Sequence, residues 1–289
     1  MGSKRVETPA AQLSLELDAS VPRLPATLRP MLPRTATEPF DSSRHLFEPA
    51  WGGRRALAFV EAAVDEDGEG GWRTAEGRPS VRLLDADGIP LLDHLAELRS
   101  LALRLEARSA ILDGELVAVD ASGHSDIRQL RARLGGRGDA PVALLVFDLP
   151  YLDGRPLIAL PLTRRRQLLA QVLRPGPEVV TVPAIETDGI ALHEAVVAQR
   201  LAGTRARVAS SPYLPGVRSA LWRSIRAGAA GPARRAGEEA GDAAGGTDEA
   251  VSAPAIPSLG AASVPGGALA PVLAVMRRLP LEDAEPEPG

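Results

Sequence analysis

The sequence predicts an α+β domain of about 200 residues, running from residue 23 to residue 226 of a 289-residue chain. Three observations predict it. Short apolar or alternating runs interchange there with segments of helical spacing. A hydrophobic content of 45% is enough to bury a sizeable core at this length. No internal repeat is present, so the runs belong to one unit.

In chain order, strands are expected at RALAFVEA (55–62), VRLL (81–84), AILDGELVAVD (110–120), VALLVFDL (142–149), EVVTVPAI (178–185), TRARVAS (204–210) and ALWRSIR (220–226). Helices are expected at LLDHLAELRSLALRL (91–105), SDIRQLRARL (125–134), PLTRRRQLLAQVL (161–173) and DGIALHEAVVAQRLA (188–202). In the third helix Pro161 suits the start and Thr163 is the expected cap. In the fourth, Asp188 is the expected N-cap, with Leu192, Val196 and Val197 facing inward. FEPAWGGRRALAF (47–59) reads as a loop entering a strand, with Ala50 at its sharpest turn. LDGELVAVD reads as a strand interrupted by a turn at Asp113-Gly114, with Glu115 just beyond. FDLPYLDGRPL reads as a strand ending at Asp148, followed by a Pro-containing turn that brings Tyr151 and Asp153 near.

The flanks read differently. Residues 1–22 have little periodicity and read as a disordered tail. Residues 227–289 are dense in Ala, Gly, Pro, Ser and acids and read as a disordered acidic tail. Within it, ALAPVLAVMRRL (268–279) has the spacing of a short amphipathic helix; it reads either as a hydrophobic spot in a flexible tail or as a peptide for a protein partner.

Composition excludes several chemistries. The absence of cysteine removes disulfides, thiolate catalysis and Cys-ligated zinc, and fits a reducing, cytoplasmic setting. No apolar run approaches the roughly 18 residues needed to span a bilayer, so no membrane role is expected. Lys4 is the only lysine, so lysine-based covalent catalysis and a P-loop are both excluded from the expected folded region. His45, His94, His124 and His193 lack metal-ligand spacing and are expected on the surface or in caps. There is no G-x-S-x-G elbow for a serine hydrolase. The C-terminal tail carries four Arg against nine acids and the first 22 residues are net -1, which leaves residues 23–226 at +2. That is a mild footprint for a duplex-binding domain.

What remains is a set of acidic turns whose order is informative. With EPAWGGRR (48–55), the blocks VRLLDADG, LDGELVAVD, LLVFDLPYLDGRPL and RLAGTRARVASSPYLPGVRSALWRSIR resemble the adenylation domain of ATP-dependent DNA ligases, especially the bacterial end-joining type, over about residues 28–226. The resemblance implies a nucleotidyltransferase (ATP-grasp-like) fold of mixed and antiparallel sheets with flanking helices. It implies ATP or AMP as ligand, DNA as partner, and a DNA repair or recombination setting. In that family a lysine amine attacks the α-phosphorus of ATP, and the adenylate passes to a DNA 5′-phosphate. Glu48, Gly53 and Arg55 match the first motif, E-x-K-x-D-G-x-R. By resemblance Arg55 and Glu115 would hold the ribose, Phe147 would stack on adenine, and Arg207 and Arg226 would supply cations towards the phosphates.

The departures are as informative as the matches. Ala50 stands at the nucleophilic lysine, Gly52 at the nearby acid, Ala202 at the usual metal-binding carboxylate, Ser224 at a lysine of the last motif and Ala86 at a usual arginine. Lys-to-Arg drift keeps a cation at 207 and 226, but a methyl group cannot attack phosphorus. Deleting a nucleophile costs on the order of a million-fold in turnover, about 8 kcal/mol of barrier. No catalytic residue is therefore assigned, and the loss at 202 leaves Mg²⁺ doubtful. After residue 226 the sequence offers no OB-fold to close around duplex DNA, so DNA binding is expected to be weak. Three readings stay open: a pseudoligase that keeps nucleotide or partner binding, a working ligase or nucleotidyltransferase with another nucleophile such as His45, and a structural interaction domain that binds no nucleotide.

Overall fold

The strands are shared between two sheets, and the long apolar runs fall in the one that is covered on both faces. The computed structural model describes residues 24–62, 79–118 and 125–228. His124, the 268–279 segment, residues 1–22 and all but the first two residues of the expected C-terminal tail lie outside them.

The elements are β1 (Leu32–Ala36), β2 (Ser42–Ala50), β3 (Arg54–Glu61), β4 (Ser80–Asp85), a 3₁₀ helix (Ala96–Leu103), β5 (Ser109–Ala118), α1 (Ile127–Leu134), β6 (Val142–Leu152), β7 (Arg155–Pro156), α2 (Leu162–Val172), β8 (Val179–Thr181), β9 (Ile185–Thr187), α3 (Gly189–Ala198), β10 (Gly203–Val208) and β11 (Arg218–Arg226). The first sheet has the order β1-β11-β10-β2-β9; the second has β4-β3-β5-β6-β7, with β8 parallel to β6. All pairs are antiparallel except β1 with β11 and β6 with β8.

In the second sheet, Ala56, Ala58, Val60, Leu112, Leu116, Leu144 and Val146 pack towards the 3₁₀ helix, α1 and α2. The intervening residues on the other side, Val117, Leu145 and Phe147, share a cluster with Tyr213 and Trp222 from the first sheet and its loops. Burial on both sides explains why β5 and β6 read as continuous apolar runs and not as alternating ones. Among the described residues no helix is long and apolar enough to cross a membrane.

Several local expectations need correction. The 91–105 segment forms a 3₁₀ helix in place of a long α-helix. Leu95, Leu98 and Leu101, all fully buried, recur every third residue, which matches three residues per turn and not 3.6. The Asp113-Gly114 pair is no turn: β5 pairs with β3 straight through it, and only the register with β6 shifts there. Gly114 is required by close approach, since a Cβ would lie 2.8 Å from the Leu145 carbonyl oxygen. β6 likewise does not end at Asp148 but continues to Leu152, and the turn falls at Asp153-Gly154, both with positive φ. The expected 178–185 strand divides at Val182-Pro183, with β8 on the second sheet and β9 on the first, so the chain crosses between sheets where proline offers no N–H.

Helix starts differ too. Pro161 occupies the N-cap position of α2 and Thr163 lies inside the first turn, its N–H donating to Ala209 O at 3.1 Å. Asp188 sits at the start of α3 without a capping bond; Asp41 accepts the Ile190 N–H instead, at 2.9 Å. Leu192 and Val196 face inward as expected, whereas Val197 is exposed and His193 takes the buried slot.

Candidate functional site

β2 ends at Ala50, and the chain turns through Trp51–Gly53, with Gly52 at φ 80°, before β3 begins at Arg54. The stretch expected to be a loop is therefore the end of one sheet's strand joined by a short turn to the other sheet. Cross-strand register sets Ala50 opposite Gly203, and Gly203 opposite Arg226; Glu48 lies opposite Arg205. Alternation along β2 puts Glu48 and Ala50 on the face turned to the second sheet, and His45 and Phe47 on the face covered by α3. His45, the alternative nucleophile, is thus on the wrong side of its strand, with its ring 5.2 Å from that of Phe40.

Ala50 is 2% exposed and Trp51 equally buried, with the indole N–H enclosed and unpartnered among the described residues. The three positions where the resemblance calls for lysine and two carboxylates, 50, 52 and 202, hold Ala, Gly and Ala in mutual contact: Ala202 N–H donates to Ala50 O at 3.0 Å, and a Cβ on Gly52 would lie 2.9 Å from that of Ala202.

Around this apolar point runs a charged cluster that joins the sheets. Glu48 is 1% exposed, and its carboxylate pairs with Arg166, from α2, at 2.6 Å and with Arg207, from β10. Arg166 also donates to Phe147 O at 3.0 Å and Val182 O at 2.6 Å. Burial lowers the Arg166 guanidinium to about 10 and that of Arg207 to about 9, values at which both remain charged at neutral pH. Glu48 is therefore an anion set between two desolvated cations.

Arg207 and Arg55 both lie against the same aromatic pair. The Arg207 Cζ is 4.0 Å from the Phe147 ring centroid and 4.7 Å from that of Trp222; for Arg55 the distances are 4.5 and 5.5 Å. Arg55 reaches Asp113 through two contacts of 2.5 Å, and Tyr213 donates to the same carboxylate at 2.6 Å. Burial opposes the charge on Arg55, but the adjoining Asp113 carboxylate prevails and holds its pKa above the ordinary value. Burial, then the same carboxylate, pushes the Tyr213 hydroxyl up, which keeps it a donor. Behind the cluster, Asp148 and Arg165 form a bidentate pair at 2.7 and 2.8 Å with no solvent exposure.

The structure brings Glu48, Arg55, Phe147 and Arg207 together but treats the other two expected ligands differently. Glu115 shares a register position with Arg55, yet its carboxylate accepts from the Gly53 N–H at 2.6 Å and so braces the turn. Arg226 is exposed and lines a shallow depression of about 310 Å³ with Thr35, Ala36, Thr37 and Gly228. Asp113, Arg166 and Tyr213 are central to the cluster and were not singled out by sequence. The sequence signals only the pair behind them: Arg165 falls in the inward stripe with Leu162 and Leu169, where a cation demands a buried anion, here Asp148. Among the described residues no group of three or more His, Asp or Glu side chains is placed to hold a metal ion.

A profile of the ATP-dependent DNA ligase domain matches residues 80–225, half of the chain. The chain belongs to the ATP-dependent DNA ligase family. The match starts downstream of the block that contains Ala50. The multifunctional non-homologous end joining DNA repair protein LigD of Mycobacterium tuberculosis is 32% identical over 196 residues, which cover 68% of this ligase-family chain and 23% of LigD. A probable DNA ligase of Streptomyces avermitilis is 32% identical over 148 residues, 47% of this chain and 29% of that protein. The chain thus spans less than a third of either relative. Among solved structures, a mycobacterial DNA ligase D complexed with ATP and MES superposes with a TM-score of 0.56 at 29% identity, covering 69% of this chain and 60% of that one. The ligase domain of M. tuberculosis LigD gives 0.54 at the same identity and coverage. The nucleotidyltransferase fold is therefore present.

The side chains do not fit a nucleotide in this arrangement. Phe147, the expected stacking ring, is 4% exposed and lies against two guanidiniums, and the Glu48 carboxylate is taken up by Arg166 and Arg207.

Proposed function

We propose that this chain is a pseudoligase: an adenylation-domain scaffold that has lost self-adenylation and serves as a partner-binding module in a cytoplasmic DNA repair or recombination setting. The observation that carries the reading is Ala50, a buried methyl group at the position of the attacking amine, joined through its backbone carbonyl to the N–H of Ala202, which stands at the position of the metal-binding carboxylate. A covalent nucleotide carrier needs a lone pair beside the α-phosphorus and a cation to neutralise the phosphates, and neither Ala50 nor Ala202 can supply or bind one. The end-joining setting is supported by the likeness to LigD over 68% of the chain.

The test is incubation of the full chain with α-labelled ATP and Mg²⁺, followed by a denaturing gel. The expected result is an unlabelled protein band. Label that survives denaturation, on any residue, overturns the proposal.

A further inference from the structure

We propose that the Arg207 guanidinium occupies the seat a planar base would need on the Phe147–Trp222 aromatic pair, so that this domain excludes adenine nucleotides from its cleft. The inference rests on the pseudoligase reading and adds to it: loss of the attacking group concerns chemistry, whereas this concerns binding.

Phe147, Trp222 and Tyr213 form an aromatic platform in the inter-sheet cluster beside Ala50, with Phe147 and Trp222 edge to face at 6.3 Å. It is the platform that contains the expected stacking ring, Phe147, and so the place where a flat π-ligand would stack. The place is taken: Arg207 itself presents a planar, delocalised cation 4.0 Å from the Phe147 centroid. It is also tied down by its pair with Glu48. Displacing it would leave a desolvated guanidinium without its anion, and would leave Glu48 with Arg166 alone. Arg166 meanwhile connects Glu48 of the first sheet to the Phe147 carbonyl of the second, and Tyr213 and Arg55 converge on Asp113 in the same gap. Nucleotide entry would therefore have to break cross-sheet bonds as well as move one side chain. A ligand that binds only a rarely populated open state has its apparent affinity reduced by the population of that state. The mycobacterial ligase D that superposes on this chain is described as complexed with ATP, so the fold itself admits the ligand in that protein.

The experiment is a calorimetric titration of the full chain with ATP and with AMP, alongside thermal melts at millimolar nucleotide, for wild type, Arg207→Ala and Arg207→Met. Wild type is expected to show neither heat of binding nor a melting shift. Arg207→Ala, which removes the nearer of the two guanidiniums on Phe147 and frees Glu48 from one of its cations, is expected to gain at least a tenfold increase in affinity; Arg207→Met, which keeps the bulk, is expected to stay non-binding. Nucleotide binding by wild type overturns the inference without any variant being needed. So does a folded Arg207→Ala that binds no better. Binding without covalent label would refute this inference alone, while covalent label would refute the pseudoligase reading as well.

Discussion

Glu48→Gln tests the charged cluster most directly. It keeps the side chain's size and one acceptor oxygen but removes the anion that faces Arg166 and Arg207, whose side chains are 14% and 3% exposed. The two cations are not affected equally. Arg166 retains the Phe147 and Val182 carbonyls as acceptors, so its hydrogen bonding survives. Arg207 keeps only the aromatic faces. Breaking a buried pair so that one charge is left uncompensated costs about 3–5 kcal/mol, and the acceptors left to Arg166 argue for the lower end, about 3 kcal/mol. For a domain of this size that corresponds to a fall in Tm on the order of 10 °C. Urea unfolding followed by tryptophan fluorescence measures it, and the Glu48→Gln, Arg207→Met double variant completes a cycle. The double variant is expected to recover part of the loss, because two contacting residues share a coupling of about 0.5–3 kcal/mol. If Glu48→Gln costs less than about 1 kcal/mol, or if the cycle shows no coupling, the account of Glu48 as the anion that compensates these cations is wrong.

Three further outcomes are expected. Tyr213→Phe removes the hydroxyl that donates to buried Asp113 at 2.6 Å and should cost about 1–3 kcal/mol in the same urea assay. Asp148→Ala leaves the fully buried Arg165 without its carboxylate and should cost about 3–5 kcal/mol, whereas an Asp148→Leu, Arg165→Met pair should recover most of that; equal losses in both would refute it. Burial lowers the pKa of His193, so below its ordinary value of 6.5 the unfolded chain takes up a proton that the folded chain resists. Stability should therefore fall as pH drops from 7 towards 5, with His45 acting in the same direction, and His193→Gln should flatten that fall in melts across the range.

How much of the fold could be read from sequence followed from how local each pattern is. β3, β5, β6, β10 and β11 and all three α-helices carry their own periodicity within one segment, and were expected where they occur. β1 and β2 were not, and the end of β2 reads from sequence as a loop. LPRTA is half exposed and is held by a parallel partner, β11, almost the whole domain away in sequence; Ser42–His45 of β2 are polar and only its second half is buried. The 3₁₀ helix was missed through its period alone, since leucines spaced by three satisfy a loose helical template as well as a tight one. The site divides in the same way. Glu48, Arg55, Phe147 and Arg207 were named from the family blocks and meet in one cluster. The residues that hold them there, Arg166 and Tyr213, act across 118 and 100 positions on Glu48 and Asp113, distances that no windowed pattern encodes.

The same geometry bears on whether the lost chemistry could be reinstated by a single change. A lysine at 50 would have to extend from a position that is 2% exposed, and an acid at 52 would bring a Cβ to 2.9 Å from that of Ala202 at a residue whose φ of 80° disfavours any side chain. The approach of Gly52 to Ala202 makes the small residue at 52 a condition of the one at 202. Arg207 on the aromatic pair and Glu48 between its two cations then close the space a nucleotide would need to reach them. The departures from the ligase pattern therefore act as one packed and charge-compensated arrangement and not as isolated gaps, and restoring the amine alone would strain the turn without reopening the cleft.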